Sequence, residues 1–199
     1  MADPRVSDAS AAFRPAHAGA RCGTSGAFAW GAVAFIAGAA VSLSIIFPPI
    51  PLLLWNASAS SPIGLYAIGA PTGLKAGDMA VAWAPLPARR IAERRSYLPY
   101  RVPLVKRVAA VAGDRVCAKG NRIFINRRPV ALRRERDPSG RPMPRWSGCA
   151  RLEPGELFLL SHTGPLAFDG RYFGVTRAPE LVGRARLLWA KPVKGRSLE

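Results

Sequence analysis

From Gly26 to Phe47 the chain reads AFAWGAVAFIAGAAVSLSIIF after the glycine, without one charged residue. At about 1.5 Å of rise per residue, a helix of that length spans the roughly 30 Å hydrocarbon core of a bilayer. Pro48, Pro49 and Pro51 follow at once and stop any helix there. A cleaved secretory signal is the rival reading, and Ala57-Ser58-Ala59 imitates a small-residue cleavage site. Such a signal, however, normally has an apolar segment of only about 7 to 15 residues behind a short basic region. The expected organisation is therefore a cytoplasmic segment over 1–25, a transmembrane helix over 26–47 and one domain over 48–199, which suits a chain of 199 residues.

Charge sets the orientation. Arg5, Arg14 and Arg21 precede the apolar run, and no charge follows it until Lys75. The positive-inside bias places the N-terminus in the cytoplasm and the domain on the periplasmic face of a bacterial inner membrane. Lys+Arg 29 against Asp+Glu 12 gives +17, which usually points to nucleic acid or a lipid surface. Across the membrane from the chromosome, the nucleic-acid reading loses its force, and no nucleic-acid partner is expected. The three cysteines, Cys22, Cys117 and Cys149, show no CxxC spacing and no histidine cluster, so neither a metal nor another cofactor is implied. An oxidising compartment would let Cys117 pair with Cys149 and leave Cys22 on the reducing side.

The domain reads as mainly β. Strands are expected at Ile63 to Ile68, Met79 to Trp83, Val102 to Val111, Arg115 to Ala118, Ile123 to Asn126, Glu156 to Ser161 and Leu187 to Trp189. One helix is expected around Ala88 to Ser96, with an arginine-rich solvated face. Residues 132–148, rich in Arg, Pro and Gly, read as an extended surface loop closed by Cys149.

Asn56-Ala57-Ser58-Ala59-Ser60-Ser61-Pro62-Ile63-Gly64-Leu65-Tyr66 would pass for a linker on composition, but Pro62 and Gly64 ahead of an apolar run indicate a fixed turn into a sheet. A serine there needs a base to act as a nucleophile. Residues two apart in a strand share a face, so Lys106 lies with Leu104, Val108 and Ala110. A lysine on an apolar face favours its neutral amine, although a lysine guarding an edge strand gives the same pattern. The other candidate base is His162, with Asp169 seven residues on, in a serine–histidine–aspartate arrangement.

Ser60-Ser61-Pro62-Ile63-Gly64-Leu65-Tyr66, Lys106-Arg107-Val108-Ala109-Ala110, Gly113-Asp114 and Phe168-Asp169-Gly170-Arg171-Tyr172-Phe173-Gly174 occur in this order. The set resembles the motifs of the TraF-type conjugative-transfer signal peptidases, relatives of the type I signal peptidases that use a serine–lysine dyad. The resemblance covers roughly residues 56 to 190. It implies a signal-peptidase-like β-rich domain in which Ser60 is the nucleophile, Lys106 the general base and Asp169 a support of the site. It also implies that Ser58 and the Ser60 N–H hold the oxyanion, with Ser61 as a spacer before Pro62. Two departures stand out: Ala167 occupies the place of a serine that many relatives use to hold the lysine, for which Ser161 or Thr163 are the substitutes at hand. The serine of general signal peptidases, three residues before the proline, would fall on Ala59.

The expected function is a membrane-anchored serine endopeptidase that processes exported precursors such as pilin subunits, by cleavage or by cyclisation. The alternatives are a general type I signal peptidase and a non-enzymatic, single-pass assembly component of a secretion machine.

Overall fold

The computed structural model describes residues 24–46, 52–161 and 167–192, and within the first helix the side chains of residues 29–44. Cys22, His162, Thr163 and the prolines at 48, 49 and 51 lie outside the described residues. The chain divides into two compact units, Met1–Pro49 and Ile50–Glu199.

The first unit holds α1, Thr24–Ile46. Its two inner serines hide their hydroxyls on the backbone one turn back: Ser42 Oγ donates to the Gly38 carbonyl and Ser44 Oγ to that of Ala40, each at 2.9 Å. Every described side chain of this helix is exposed. Among the described residues no helix is long and apolar enough to cross a membrane.

The second unit is mainly β, as expected. Its elements are β1 (Leu53–Asn56), β2 (Gly64–Gly69), β3 (Met79–Ala82), α2 (Leu86–Arg94), β4 (Leu104–Ala110), β5 (Arg115–Lys119), β6 (Arg122–Ile125), β7 (Arg128–Leu132), β8 (Gly148–Arg151), β9 (Phe158–Leu160), α3 (Gly170–Phe173) and β10 (Leu181–Ala190). Six strands form one antiparallel sheet in the order β1-β2-β10-β3-β4-β9, and four form another in the order β7-β6-β5-β8. Tyr66, Ile68, Val81, Val105 and Ala185 pack on one face of the larger sheet, and Ala80, Ala82, Val108, Leu157 and Leu159 on the other. A third cluster joins the two sheets through Ala110, Val116, Ile123, Leu152 and Phe158.

Two expectations are corrected. The segment 132–148 is not a plain surface loop: its ends lie in β7 and β8, and Arg133, Asp137 and Met143 within it are buried. Arg133 donates to the carbonyls of Gly120 and Trp146, so its charge is spent on backbone oxygens inside the fold. The last strand begins at Leu181, six residues before the expected start, because Arg184 and Arg186 sit on its exposed side. A strand also precedes the serine loop, where Leu53↔Ala67 to Asn56↔Gly64 pair β1 with β2.

Candidate active site

The serine loop is the connection of the β1–β2 hairpin. Asn56, the last residue of β1, is 7% exposed and turns its amide into that loop. Its Nδ2 donates to the carbonyls of Ser58 (3.0 Å), Ser61 (3.2 Å) and Pro62 (3.0 Å), while its Oδ1 accepts the Ser58 N–H at 3.2 Å. Tyr66, at 0% exposure, adds a hydroxyl bond to the Pro62 carbonyl at 2.8 Å. Gly64 admits no side chain, because a Cβ there would meet the Trp189 carbonyl oxygen at 2.0 Å. Ser61 is more than a spacer: buried, it donates its hydroxyl to the Val105 carbonyl at 2.7 Å. A loop held at this many points presents Ser60 in one orientation.

Lys106 lies in the middle of β4, opposite Ala80 of β3. Because β4 runs between β3 and β9, the edge-strand reading of this lysine is excluded. Leu104, Val108 and Ala110 are buried beside it, as period-two alternation requires, and Lys106 itself is 3% exposed. Its Nζ reaches Ser60 Oγ at 2.5 Å. Burial pushes the pKa of this amine down from 10.5 to about 8; Asp169 opposes the shift and Arg171 adds to it. Part of the population thus carries the neutral amine just above neutral pH, bonded to the Ser60 hydroxyl.

Ser58 is exposed beside Ser60, with the two Oγ atoms 2.8 Å apart. The Ser60 N–H points at Ser58 Oγ at 3.3 Å. A carbonyl oxygen that displaced this contact would meet both donors.

Asp169 is fully buried and bonds to neighbours of the dyad. It caps α3 by accepting the Arg171 N–H, forms a two-pronged ion pair with Arg171 (Nε to Oδ1 2.8 Å, Nη2 to Oδ2 3.1 Å), and accepts the Ser161 N–H at 2.8 Å. Ser161 in turn donates its hydroxyl to the Ser60 carbonyl at 2.5 Å. Ala167 is buried at the same site without a hydroxyl to offer. Ser58, Ser60, Lys106 and Asp169 are therefore brought together. Asn56, Ser161 and Arg171 complete the setting, and of these only Ser161 was singled out from the sequence.

A cleft of about 1090 Å³ opens on this centre. Leu54, Trp55, Val102, Leu104, Met143 and Phe168 make its walls largely apolar, and Arg95, Arg134, Arg136 and Arg141 supply charge. The far wall comes from 133–143, the segment expected to be a surface excursion, and from the end of α2, expected to be only solvated.

Cys117 and Cys149 form a disulfide, as expected, across the paired strands β5 and β8 of the smaller sheet.

Residues 27–190 match the family described as signal peptidase, peptidase S26. A plasmid transfer protein TraF of Escherichia coli is 35% identical over 40% of this chain, which spans 46% of that relative, a little under half its length. A probable conjugal transfer protein TraF of Sinorhizobium fredii is 33% identical over 66% of this chain and 73% of its own. Among solved structures, a signal peptidase I of Enterococcus faecalis aligns over 58% of this chain and 98% of its own, at 16% identity and a TM-score of 0.33, too low to carry an argument about the fold.

Proposed function

The chain belongs to the signal peptidase, peptidase S26 family, and from that premise we propose that it is a membrane-anchored serine endopeptidase with a Ser60–Lys106 dyad. Membership of the family implies serine peptidase activity, and the names of its relatives support a role in conjugation. The observation that carries the dyad is the 2.5 Å contact between Ser60 Oγ and a lysine that is 3% exposed.

In this reading a neutral Lys106 accepts the Ser60 proton as Oγ attacks the scissile carbonyl. The tetrahedral oxyanion takes the Ser60 N–H and the Ser58 hydroxyl, replacing the bond these groups make to each other at rest. Removal of one such donor typically costs about 2.7 to 4 kcal/mol of transition-state stabilisation. Lys106 then returns the proton to the leaving amine, and the acyl group on Ser60 passes either to water or to the substrate's own terminus. Asp169 and Arg171 hold Ser161 and, through it, the Ser60 backbone. The substrate is an exported precursor, in first place a pilin subunit. The apolar run at 26–47 anchors the chain with its N-terminus in the cytoplasm and the catalytic domain on the periplasmic face; the arginines before the run and the absence of charge just after it support that orientation.

The test is to co-express the neighbouring pilin gene with wild-type or Ser60→Ala protein and take the intact mass of the pilin. A shortened or circular product with the wild type and none with Ser60→Ala is expected. Processing that persists without Ser60 removes the assignment.

A further inference from the structure

The cleft in front of Ser60 carries a charge imbalance that the dyad does not use. Four arginines line it, and Asp137 is the one carboxylate among its lining residues. That carboxylate is committed: it accepts from Arg141 Nε at 2.6 Å, from the N–H groups of Ser139 and Arg141, and from the Tyr97 hydroxyl. Burial alone would raise its pKa, but the bonds from Tyr97 and Arg141 hold it well below the usual carboxylate range, so the Asp137–Arg141 pair stays charged and internally neutral.

Arg95, Arg134 and Arg136 remain. Among the described residues none of the three makes an ion pair. Arg95 Nη1 donates to the Pro142 carbonyl at 2.9 Å, and Arg136 Nη1 donates to the Gly140 carbonyl at 2.7 Å. These bonds fix the guanidinium groups without neutralising them. A guanidinium offers five donors in a planar fork matched to a carboxylate. Low-dielectric walls on both sides of the cleft focus the field of such groups. A neutral, small-residue peptide would leave all three unmatched.

We propose that the cleft selects a peptide segment bearing an acidic side chain close to the bond presented to Ser60. This rests on the peptidase reading and adds the chemistry of its substrate. Arg134 and Arg136, both exposed at the mouth, are the residues that read the charge, and Arg95 sets the field behind them.

The experiment uses the full chain in detergent micelles and peptides with an Ala-Xaa-Ala core, in which a single Glu is stepped along the sequence against a Gln control. Binding is read by anisotropy of a neutral fluorophore on the Ser60→Ala protein, so that it does not depend on turnover. At one or more positions Glu should bind at least about fivefold more tightly than Gln, with the margin shrinking as salt is raised. Arg134→Gln with Arg136→Gln should bring the ratio close to one, by weakening the Glu peptide far more than the Gln peptide. Arg128→Gln, on β7 outside the cleft, should leave the ratio as it is. Equal binding of Glu and Gln peptides everywhere, or a preference that survives the double variant, overturns the proposal. So does tighter binding of a thymidine oligonucleotide than of any Glu peptide. Failure of the peptidase reading is seen separately, as the absence of Ser60-dependent labelling by a fluorophosphonate on the wild-type chain.

Discussion

The hydroxyl of Ser61 donates to the carbonyl of Val105 at 2.7 Å, so the residue after the proposed nucleophile is tied to the residue before the proposed base. The contact joins positions 44 apart in sequence and fixes the span over which Ser60 and Lys106 meet. Ser61→Ala should therefore leave the sheet intact, with stability lower by about 1 kcal/mol. It should lower kcat by about tenfold or more with KM little changed, because small misplacements of reacting groups are costly. Thermal melts beside steady-state kinetics check this, and Ser61→Thr, which keeps the hydroxyl, should recover most of the rate.

Lys106 is expected to limit activity from the acid side. Its neutral form is the proposed base, and burial pushes its pKa down to about 8, so kcat/KM should rise with pH and level off above that value. The same burial has a cost in stability. Below about pH 8 the lysine is protonated in both folded and unfolded chains, and the fold carries the full penalty of a buried cation. Between about 8 and 10.5 the unfolded chain binds the proton and the folded chain does not, so stability rises with pH over that window. Lys106→Met should abolish turnover and raise stability at pH 7 by at most about 3 kcal/mol, a gain that shrinks toward pH 10. Paired urea titrations of the two proteins across this range check the sign.

The sequence is most legible where a period carries the information. Lys106 stands out because strand alternation puts it among Leu104, Val108 and Ala110, and the fold keeps it there. Partners that are close only in space leave no such trace. Asn56 bonds three carbonyls of its own loop, and Ser61 reaches a different strand; neither contact has a spacing that announces it. Arg133 and Arg171 resemble every other arginine of a chain with +17, yet both are buried and bonded to backbone oxygens. Loop 133–143 reads as an excursion for the same reason: its burial depends on Tyr97 and Tyr172, which come from elsewhere in the chain.

Asn56 is predicted to act on the rate through the loop it holds. Asn56→Ala deprives Ser58, Ser61 and Pro62 of their common donor, and buried acceptors left unmatched cost about 1 to 3 kcal/mol. Asn56→Asp keeps the acceptor for the Ser58 N–H but brings no donor to the carbonyls, and places a charge against three oxygens. Both variants should cut acylation of Ser60 by a fluorophosphonate by at least about tenfold, Asn56→Asp more than Asn56→Ala. A purely structural role would lower the melting temperature and spare the acylation rate of the folded protein.

Asp169 and Arg171 are predicted to move the pH profile in opposite directions. Asp169 raises the pKa of Lys106, and Arg171 lowers it. Arg171→Met removes the guanidinium, so the amine holds its proton more firmly and the rising limb of kcat/KM should move above pH 8. Asp169→Asn removes the carboxylate charge, so the limb should move to lower pH while the amide still accepts the Ser161 N–H. Each variant also breaks a buried pair, for which a loss of about 3 to 5 kcal/mol is typical, so the profiles are to be taken well below the melting temperature of each protein. Opposite displacements identify the pair as the electrostatic setting of the lysine. Displacement in the same direction, or none in either variant, assigns the pair to folding alone.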